Sequence, residues 1–426
     1  MDKKMQITFS HATIMVIFLF LAKNCLYLLD TSLINVAGAV NYADIWLVLY
    51  IAYVGFIFLK YGNIDTGRPF FLIEVIAIAL MCFFSAWQSN RLFGQPLSMG
   101  IRPQRFFFVI ILGYFGVRKI FAAGFINSES LKKVIINFAL IEVILSIIQQ
   151  LVYKYFVFMY CMANERYGSV RLYLSSSVIT LAMFFALEGI INKKNFYKNS
   201  IMIFLGILYL LIVIKGRLTT ISVIAALLGG FLLMKGISLR KIIYFFAVVA
   251  LIIGFSNTQM FRELTDVIEV EDGEIKGDTL DIRIEGREHY FERMEKNPYL
   301  GGGYPSELYM PAAKASGYYD EIMLNDNGIF GLMYIYGYVG LAVFALLFIR
   351  LGYISWVIYK EKNVYFVFMY MILILVQAVN ITAWYWQYDG IFVLLLVMCL
   401  AETVYKEIEN LDTGRKKVRI RFVWKK

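Results

Sequence analysis

Residues 199–234, NSIMIFLGILYLLIVIKGRLTTISVIAALLGGFLLM, form two apolar runs that are separated by the short polar turn Lys215-Gly216-Arg217. A helix needs about 20 mostly apolar residues to cross the roughly 30 Å hydrocarbon core of a membrane. Each run is close to that length, and a helix satisfies its own backbone hydrogen bonds, which lipid requires. The stretch therefore predicts two membrane-spanning helices joined by a tight turn.

The same alternation of apolar runs and short polar breaks continues along the rest of the chain. Of its 426 residues, 60% are hydrophobic and only 17% are charged, too few charges for a soluble surface of that size. The strands of an outer-membrane barrel would instead alternate polar and apolar residues over about ten positions. We therefore predict an all-α integral membrane protein with about twelve transmembrane helices and one large external loop. The predicted helices lie near residues 7–29, 43–59, 69–88, 105–122, 134–152, 173–191, 199–215, 218–234, 239–256, 328–349, 364–382 and 389–405.

The charge distribution assigns the two sides of the membrane. An even number of helices places both termini on one side, and Lys and Arg concentrate in the breaks on that side and in the C-terminal tail. The positive-inside rule makes this face cytoplasmic, and anionic lipid beside it accounts for the net charge of +10 without nucleic acid. The chain is then divided into helices one to nine (1–256), a large external loop (257–327), the last three helices (328–405) and a basic cytoplasmic tail (406–426).

Residue types that commonly build soluble catalytic centres are scarce. The four cysteines are widely spaced, and only two histidines, His11 and His289, are present. No Ser-His-Asp spacing, nucleotide-binding loop or metal triad can be assembled, so we expect no metal, no other cofactor and no disulfide framework. Glu142 is the ionisable residue nearest the centre of a predicted span. Because charge in lipid is costly, we expect it to face the other helices and to have a partner.

Several cations lie on the predicted external face, where the positive-inside rule does not account for them. Arg166 and Arg171 precede helix six, and Lys215 and Arg217 occupy the turn between helices seven and eight. Arginine presents a planar, permanently charged fork that suits phosphate oxygens, so these groups could hold a lipid pyrophosphate. The alternative is that each arginine snorkels to lipid phosphate or pairs with a carboxylate of a loop.

The external loop contains the densest cluster of charges, from Asp281 to Arg293. A helix over this segment would place Arg283, Arg287 and Tyr290 near one face. Ion pairs between residues four positions apart would also explain the charges. The segment is therefore a candidate for substrate binding, and ion pairing along a surface helix is the structural alternative.

Two further motifs follow in the same loop. Pro298 ends the predicted helix, and Gly301 and Gly303 permit a tight turn or a close approach of the backbone to a ligand. Asp326 and Asn327 directly precede helix ten, where capping of the helix is the alternative to a functional role.

These elements occur in the order found in a known superfamily. The sequence resembles the superfamily of O-antigen ligases and Wzy-type polymerases, which are membrane glycosyltransferases, in its layout and in four short motifs. The similar motifs are Gly168–Arg171 (an external arginine loop), Gly216-Arg217 (a Ser-Arg turn, with Gly for Ser here), Arg283 through Gly303 (Arg…Pro-x-x-Gly-x-Gly) and Asp326-Asn327 (His-Asn). Ligases of the superfamily have a catalytic histidine where this chain has Asp326, and this difference favours a polymerase.

The resemblance implies a fold of the membrane glycosyltransferase (GT-C-like) kind in the bacterial cytoplasmic membrane. It also implies a metal-independent polymerase that joins undecaprenyl-pyrophosphate-linked oligosaccharides into a surface polysaccharide: O-antigen, capsule or exopolysaccharide. The alternatives are an O-antigen ligase-type glycosyltransferase and a lipid-linked oligosaccharide flippase or other transporter. Membrane lipid is a further expected partner, and binding of a chain-length regulator is left open.

On this interpretation the catalytic residues are Asp326, Arg283 and Arg217. The two arginines would stabilise the charge of the departing pyrophosphate. Asp326 would be the general base, with Glu285, Glu288 and His289 as alternatives. Residues expected to bind the pyrophosphate or the glycan are Arg171, Arg166, Arg287, His289, Tyr290, Gly301, Gly303 and Asn327.

Overall fold

The computed structural model describes residues 2–34, 41–166, 169–233, 270–271, 274–275, 278–320, 322, 324, 327–379 and 388–423. Two antiparallel hairpins pair β1 (Ala163–Arg166) with β2 (Ser169–Leu172) and β3 (Val270–Glu271) with β4 (Glu274–Ile275). The helices of the described residues are α1 (Asp2–Ala22), α2 (Tyr42–Tyr61), α3 (Leu72–Phe93), α4 (Leu97–Ile101), α5 (Phe108–Ala122), α6 (Ser128–Val152), α7 (Ser177–Ile191), α8 (Phe196–Tyr209), α9 (Arg217–Leu232), α10 (Asp278–Lys296), α11 (Met310–Ala315), α12 (Gly328–Lys362), α13 (Phe366–Val379) and α14 (Tyr388–Val423).

Within the described ranges, five helical segments are long and apolar enough to cross a membrane. They are Tyr42–Tyr61, Leu72–Phe93, Ser128–Val152, Phe196–Ile214 and Gly328–Lys362, and the fourth extends α8 through a π-helical turn. Shorter apolar helices accompany them at His11–Ala22, Ser177–Ile191, Leu218–Leu232 and Phe366–Ala378. The expected mostly helical class is confirmed, and the five candidate spans are consistent with an all-α membrane protein. The count of about twelve spans stays a prediction, and the helix expected at 239–256 lies outside the described residues.

Several predicted boundaries are wrong. The helix expected at 173–191 begins only at Ser177, because β2 ends at Leu172 and residues 173–176 connect that strand to the helix. The helix expected at 328–349 continues to Lys362, where Asn363 ends it in a left-handed conformation. The expected tail 406–426 is helical as far as Val423, and the large loop contains α10 and α11.

Polar contacts fix the relative direction of three helices. Before α5, Arg105 lies 3.0 Å from the Asp44 carboxylate at the start of α2 and donates to the Tyr388 hydroxyl at 2.8 Å, at the start of α14. Arg118 lies 13 residues after Arg105, and Glu402 lies 14 residues after Tyr388. The Arg118 guanidinium of α5 donates to Glu402 of α14 at 2.6 Å. Helices α2, α5 and α14 therefore begin at the same end of the bundle, and α5 and α14 run side by side in one direction.

Candidate functional site

A cavity of about 370 Å³ lies where β2, the first turns of α7 and α9, and helices α13 and α14 meet. Gly390 lines it, so the cavity lies toward the end of the bundle at which α14 begins. Polar side chains in its lining include Arg171, Ser175, Ser177, Thr180, Thr219 and Gln377. A larger cavity, of about 920 Å³, lies where Arg118 of α5 and Glu402 of α14 meet. The smaller cavity is the candidate site because it contains Arg171 and several convergent polar groups.

Arg171 lies in this cavity because of the β1–β2 hairpin. The hairpin pairs Arg171 with Asn164, and the guanidinium Nε donates to the carbonyl oxygen of Ile214 at 2.8 Å. The same guanidinium lies 4.5 Å above the ring of Tyr173. A stacked and hydrogen-bonded guanidinium has a fixed plane, which is what recognition of a phosphate by a fork requires.

Lys215 connects the hairpin to the turn between α8 and α9. Its side chain is only 4% exposed, and its Nζ donates to the carbonyl oxygen of Val170 at 2.7 Å. Burial lowers the pKa of Lys215. From the other side, the amide of Gln150 donates to the same Val170 oxygen at 2.7 Å. The lysine predicted as an external cation therefore points inward and holds the strand that carries Arg171.

The first turns of two helices contribute to the cavity wall. Ser177 and Thr180 belong to the first turn of α7, and Thr219 to that of α9. Ser176, at the cap position of α7, makes no side-chain hydrogen bond to the helix, and the amide of Ser177 donates to Oγ of Ser175 at 3.4 Å. The cap position of α9 is Gly216, which has no side chain. The first amide groups of a helix carry partial positive charge and bind anions. Together with Arg171, these two N-termini make the cavity suited to an anionic group.

A buried polar network forms the floor beside Ser175. The Lys23 ammonium forms an ion pair with Glu142, both side chains being fully buried, and also donates to the Ser175 carbonyl oxygen at 2.7 Å. The amide of Ser175 donates to the Tyr27 hydroxyl at 2.7 Å. The Ser175 hydroxyl donates to the Asp389 carboxylate. The partner predicted for Glu142 is thus Lys23, and that prediction is confirmed.

The backbone between Lys23 and Tyr27 has an unusual conformation. Asn24, Cys25, Leu26 and Tyr27 all have positive φ angles, from 50° to 60°. A left-handed conformation costs an L-residue roughly 1–2 kcal/mol, so four in succession must be held by the surrounding contacts. The turn brings the ammonium of Lys23 and the hydroxyl of Tyr27 to the same residue, Ser175.

The sequence did not predict a role for three residues of this network, Lys23, Ser175 and Asp389. For two of them, however, the position in the sequence indicates a functional candidate. Lys23 falls inside the predicted span 7–29, and an ionisable residue in such a run is a functional candidate for the same reason as Glu142. Asp389 is the first residue of the predicted last helix. Ser175 carried no signal, since a serine before a helix is ordinarily a cap.

The other candidate residues gather around the start of α12. The Arg287 guanidinium lies 5.4 Å from the ring of Phe330, and His289 Nε2 lies 3.3 Å from the carbonyl oxygen of Ala315. The Tyr290 ring is only 1% exposed, and its hydroxyl donates to the carbonyl oxygen of Ser316 at 3.1 Å. Tyr290 therefore anchors α10 to the segment after α11, a different role from the predicted binding of pyrophosphate or glycan.

Asn327 lies at the cap position of α12 without capping it through its side chain. Its backbone carbonyl accepts from the amide of Phe330 at 3.0 Å. Asn327 is 2% exposed, and its side-chain nitrogen lies 2.9 Å from the position that a Cβ on Gly286 would take. Asp326, the expected base, lies outside the described residues.

The segment Pro298–Gly303 packs against α12 through backbone hydrogen bonds. Helix α12 breaks at Gly337, whose φ and ψ are 62° and −162°. The carbonyl oxygens of Tyr334 and Ile335, released by the break, accept from the amides of Gly302 and Gly303 at 2.6 and 3.1 Å.

The amides that lose their helical partners on the C-terminal side of the break donate to the same segment. Those of Tyr338 and Val339 donate to the carbonyl oxygens of Pro298 and Tyr299 at 2.8 and 3.1 Å. Gly303 also approaches α3, where an added Cβ would lie 2.3 Å from the amide nitrogen of Ser89. The close backbone approach predicted for the glycines occurs, and its partner is protein backbone.

The structure thus separates the expected site residues whose side chains it describes into two groups. Arg171 lines the cavity, whereas the lining contains none of the candidates between Arg287 and Asn327. For Arg217, Arg166 and Arg283 the backbone alone is described, at the first residue of α9, the end of β1 and within α10 respectively; their side chains lie outside the described part of the chain.

The chain matches no model of a known protein family and no curated protein sequence.

Proposed function

We propose that this protein is a polymerase that joins undecaprenyl-pyrophosphate-linked oligosaccharide repeat units into a surface polysaccharide. The transfer would take place on the outer face of the bacterial cytoplasmic membrane. The observation that carries the proposal is the cavity in which Arg171 and the first turns of α7 and α9 converge at one end of the helix bundle. That arrangement suits a diphosphate head group whose lipid tail extends between helices.

The reaction needs stabilisation of negative charge above all. An acceptor hydroxyl attacks the anomeric carbon of the donor sugar, and the bond from that carbon to the pyrophosphate oxygen breaks. Fixed donors aimed at the departing oxygens lower the barrier, and removing one such donor typically costs about 100- to 1000-fold in rate. Arg171 would bind the pyrophosphate, with cationic help from Arg217 at the head of α9. No step of this scheme requires a metal ion.

The remaining roles extend the proposal beyond the described contacts. Arg283 keeps its proposed role as charge stabiliser, Asp326 stays one candidate for the base, and Arg287 is proposed to bind the glycan near the start of α12. About twelve spans with both termini cytoplasmic would place the cavity toward the outer leaflet. A chain-length regulator could dock on the external face of such a protein.

The substitution Arg171→Lys tests the proposal most sharply, because it keeps the charge and removes the fork. The purified protein in lipid nanodiscs is given synthetic lipid-pyrophosphate-linked repeat units, and products are sized by electrophoresis. We expect kcat/KM to fall about 100-fold, since lysine presents a point charge without the planar geometry.

Arg91→Lys is the matched control. Arg91 is an exposed arginine near the end of α3 that stacks on Trp87, with its guanidinium 5.5 Å from the ring. Wild-type polymerisation by both variants would contradict the assignment of the cavity. Failure of the wild-type protein to lengthen any lipid-linked unit would contradict the proposed function itself.

A further inference from the structure

A chain of hydroxyl groups connects the cavity to a buried carboxylate. Ser177 is half-buried and lines the cavity, and its Oγ lies 3.2 Å from Oγ of Ser175. Ser175 is only 7% exposed, and its Oγ donates to Oδ2 of Asp389. Asp389 is itself 4% exposed at the start of α14. The path therefore runs from the cavity surface through two serines into the protein.

The hydrogen bonds along this path have one direction. A serine hydroxyl has one proton to donate and two lone pairs that accept. The proton of Ser175 is directed to Asp389, so in the contact between the two serines Ser177 is the donor and Ser175 the acceptor. Oγ of Ser177 is then left with lone pairs that can accept a proton from a group in the cavity. Every donor along the path points toward Asp389.

The surroundings of the Asp389 carboxylate contain charged groups of both signs. The ammonium of Lys23 is committed to Glu142 and to the carbonyl oxygen of Ser175. Within the described part of the chain, no ammonium or guanidinium forms an ion pair with Asp389. The other titratable groups facing it are Glu142 and the phenols of Tyr27, Tyr209 and Tyr370. The cluster therefore contains two carboxylates and one ammonium.

We propose that Ser177, Ser175 and Asp389 form the path by which the acceptor hydroxyl loses its proton, an inference that rests on the proposed glycosyl transfer. As the acceptor oxygen bonds to the anomeric carbon, its proton passes to Ser177. The proton of Ser177 passes to Ser175, and that of Ser175 to Oδ2 of Asp389. The electron pair of the broken carbon–oxygen bond leaves with the pyrophosphate. The left-handed turn at 24–27 holds Lys23 and Tyr27 against Ser175 and so positions the middle of the path.

The test compares Asp389→Asn, Ser175→Ala and Ser177→Ala in the nanodisc polymerisation assay. Asparagine keeps the shape and the acceptor oxygen of Asp389 but cannot take up the proton, so we expect kcat to fall by about 100-fold or more with the KM for donor unchanged. Each alanine variant interrupts the path and should lower kcat in the same way. Asp389→Glu restores a carboxylate and should recover a measurable part of the rate.

A pH profile separates this role from a purely structural one. The wild-type rate should fall on the acid side of its pH profile. The residual activity of Asp389→Asn should lack that acid limb, and the activity of Asp389→Glu should regain it. Ser222→Ala and Glu129→Gln are the controls. Ser222 is a buried serine whose hydroxyl donates to the backbone of its own helix, α9. Glu129 is an exposed carboxylate in the first turn of α6.

Wild-type kcat in Ser177→Ala, or in a folded Asp389→Asn, would overturn the inference. A loss in Asp389→Asn that comes with a lower unfolding temperature and is not recovered by Asp389→Glu would assign Asp389 a structural role and also overturn it. If Asp389→Asn does not fold, the half-buried Ser177 decides the question. The Arg171→Lys variant distinguishes the two failures: if it is impaired while the path variants are active, the proposed function stands and the path is wrong.

Discussion

Substitution of Gly301 by alanine should release the segment Pro298–Gly303 from the break in α12. The φ angle of Gly301 is 67°, where a side chain costs about 1 kcal/mol or more. An added Cβ would lie 2.4 Å from the carbonyl oxygen of Tyr334 and 2.7 Å from the amide nitrogen of Gly337. Both are backbone atoms, so the clash is relieved only if the two segments move apart.

The magnitude follows from the bonds that this movement weakens. Four backbone hydrogen bonds, of 2.6 to 3.1 Å, join the segment to the residues on either side of the break. Each contributes about 1 kcal/mol net. With the conformational cost, and allowing for partial retention of the bonds, we expect Gly301→Ala to lower the free energy of unfolding by about 3–5 kcal/mol.

The assay is equilibrium unfolding of the purified protein in mixed micelles of a mild detergent and sodium dodecyl sulfate. Two controls separate the causes. Gly124 also has a positive φ, of 71°, with open space where a Cβ would lie, so Gly124→Ala should cost only about 1 kcal/mol. Gly55 in α2 has open space and a helical backbone, so Gly55→Ala should be neutral or slightly stabilising. A Gly301→Ala protein as stable as Gly124→Ala would refute the docking of the segment.

Three further predictions concern buried polar groups. Lys23→Met should destabilise the protein by about 3–5 kcal/mol, because it leaves the Glu142 carboxylate buried without a cation; the double variant Lys23→Met/Glu142→Leu should regain most of that loss in the same unfolding assay. Tyr290→Phe should cost about 1–3 kcal/mol by leaving the carbonyl oxygen of Ser316 without its donor, and an unfolding free energy equal to wild type would contradict the anchoring role. Burial lowers the pKa of Lys215, so just below its ordinary value of 10.5 the unfolded chain binds more protons than the folded one. Stability should therefore rise with pH as it approaches that value, and Lys215→Met, compared with wild type across that range, should remove this part of the slope.

The sequence predicted those features that depend on the cost of placing polar groups in lipid. The apolar runs predicted the helical membrane class, and the same argument predicted that Glu142 has a buried partner. The sequence could not identify Lys23 as that partner, because the ion pair joins residues 119 positions apart. The position of Lys23 also depends on the left-handed turn, which the residue types from Asn24 to Tyr27 do not predict.

The glycines show how a correct local prediction can leave its partner open. Gly301 and Gly303 predicted a close approach of backbone, and the structure has one. The partner is the break in α12 at Gly337, a glycine that looks like any other small residue in a long apolar helix. Local sequence describes the conformation that a glycine permits, whereas the identity of the approaching group depends on how distant helices pack.

Deletion of the gene in its host, followed by sizing of the glycan on the lipid carrier and at the cell surface, tests the central claim most directly. The account predicts single repeat units at the surface or on the outer-leaflet carrier, with no longer ladder, and restoration of the ladder by the wild-type gene. A full-length polymer stranded on the carrier would indicate a ligase. Single units confined to the cytoplasmic leaflet would indicate a flippase, and either result would contradict the assignment of this protein as a polymerase.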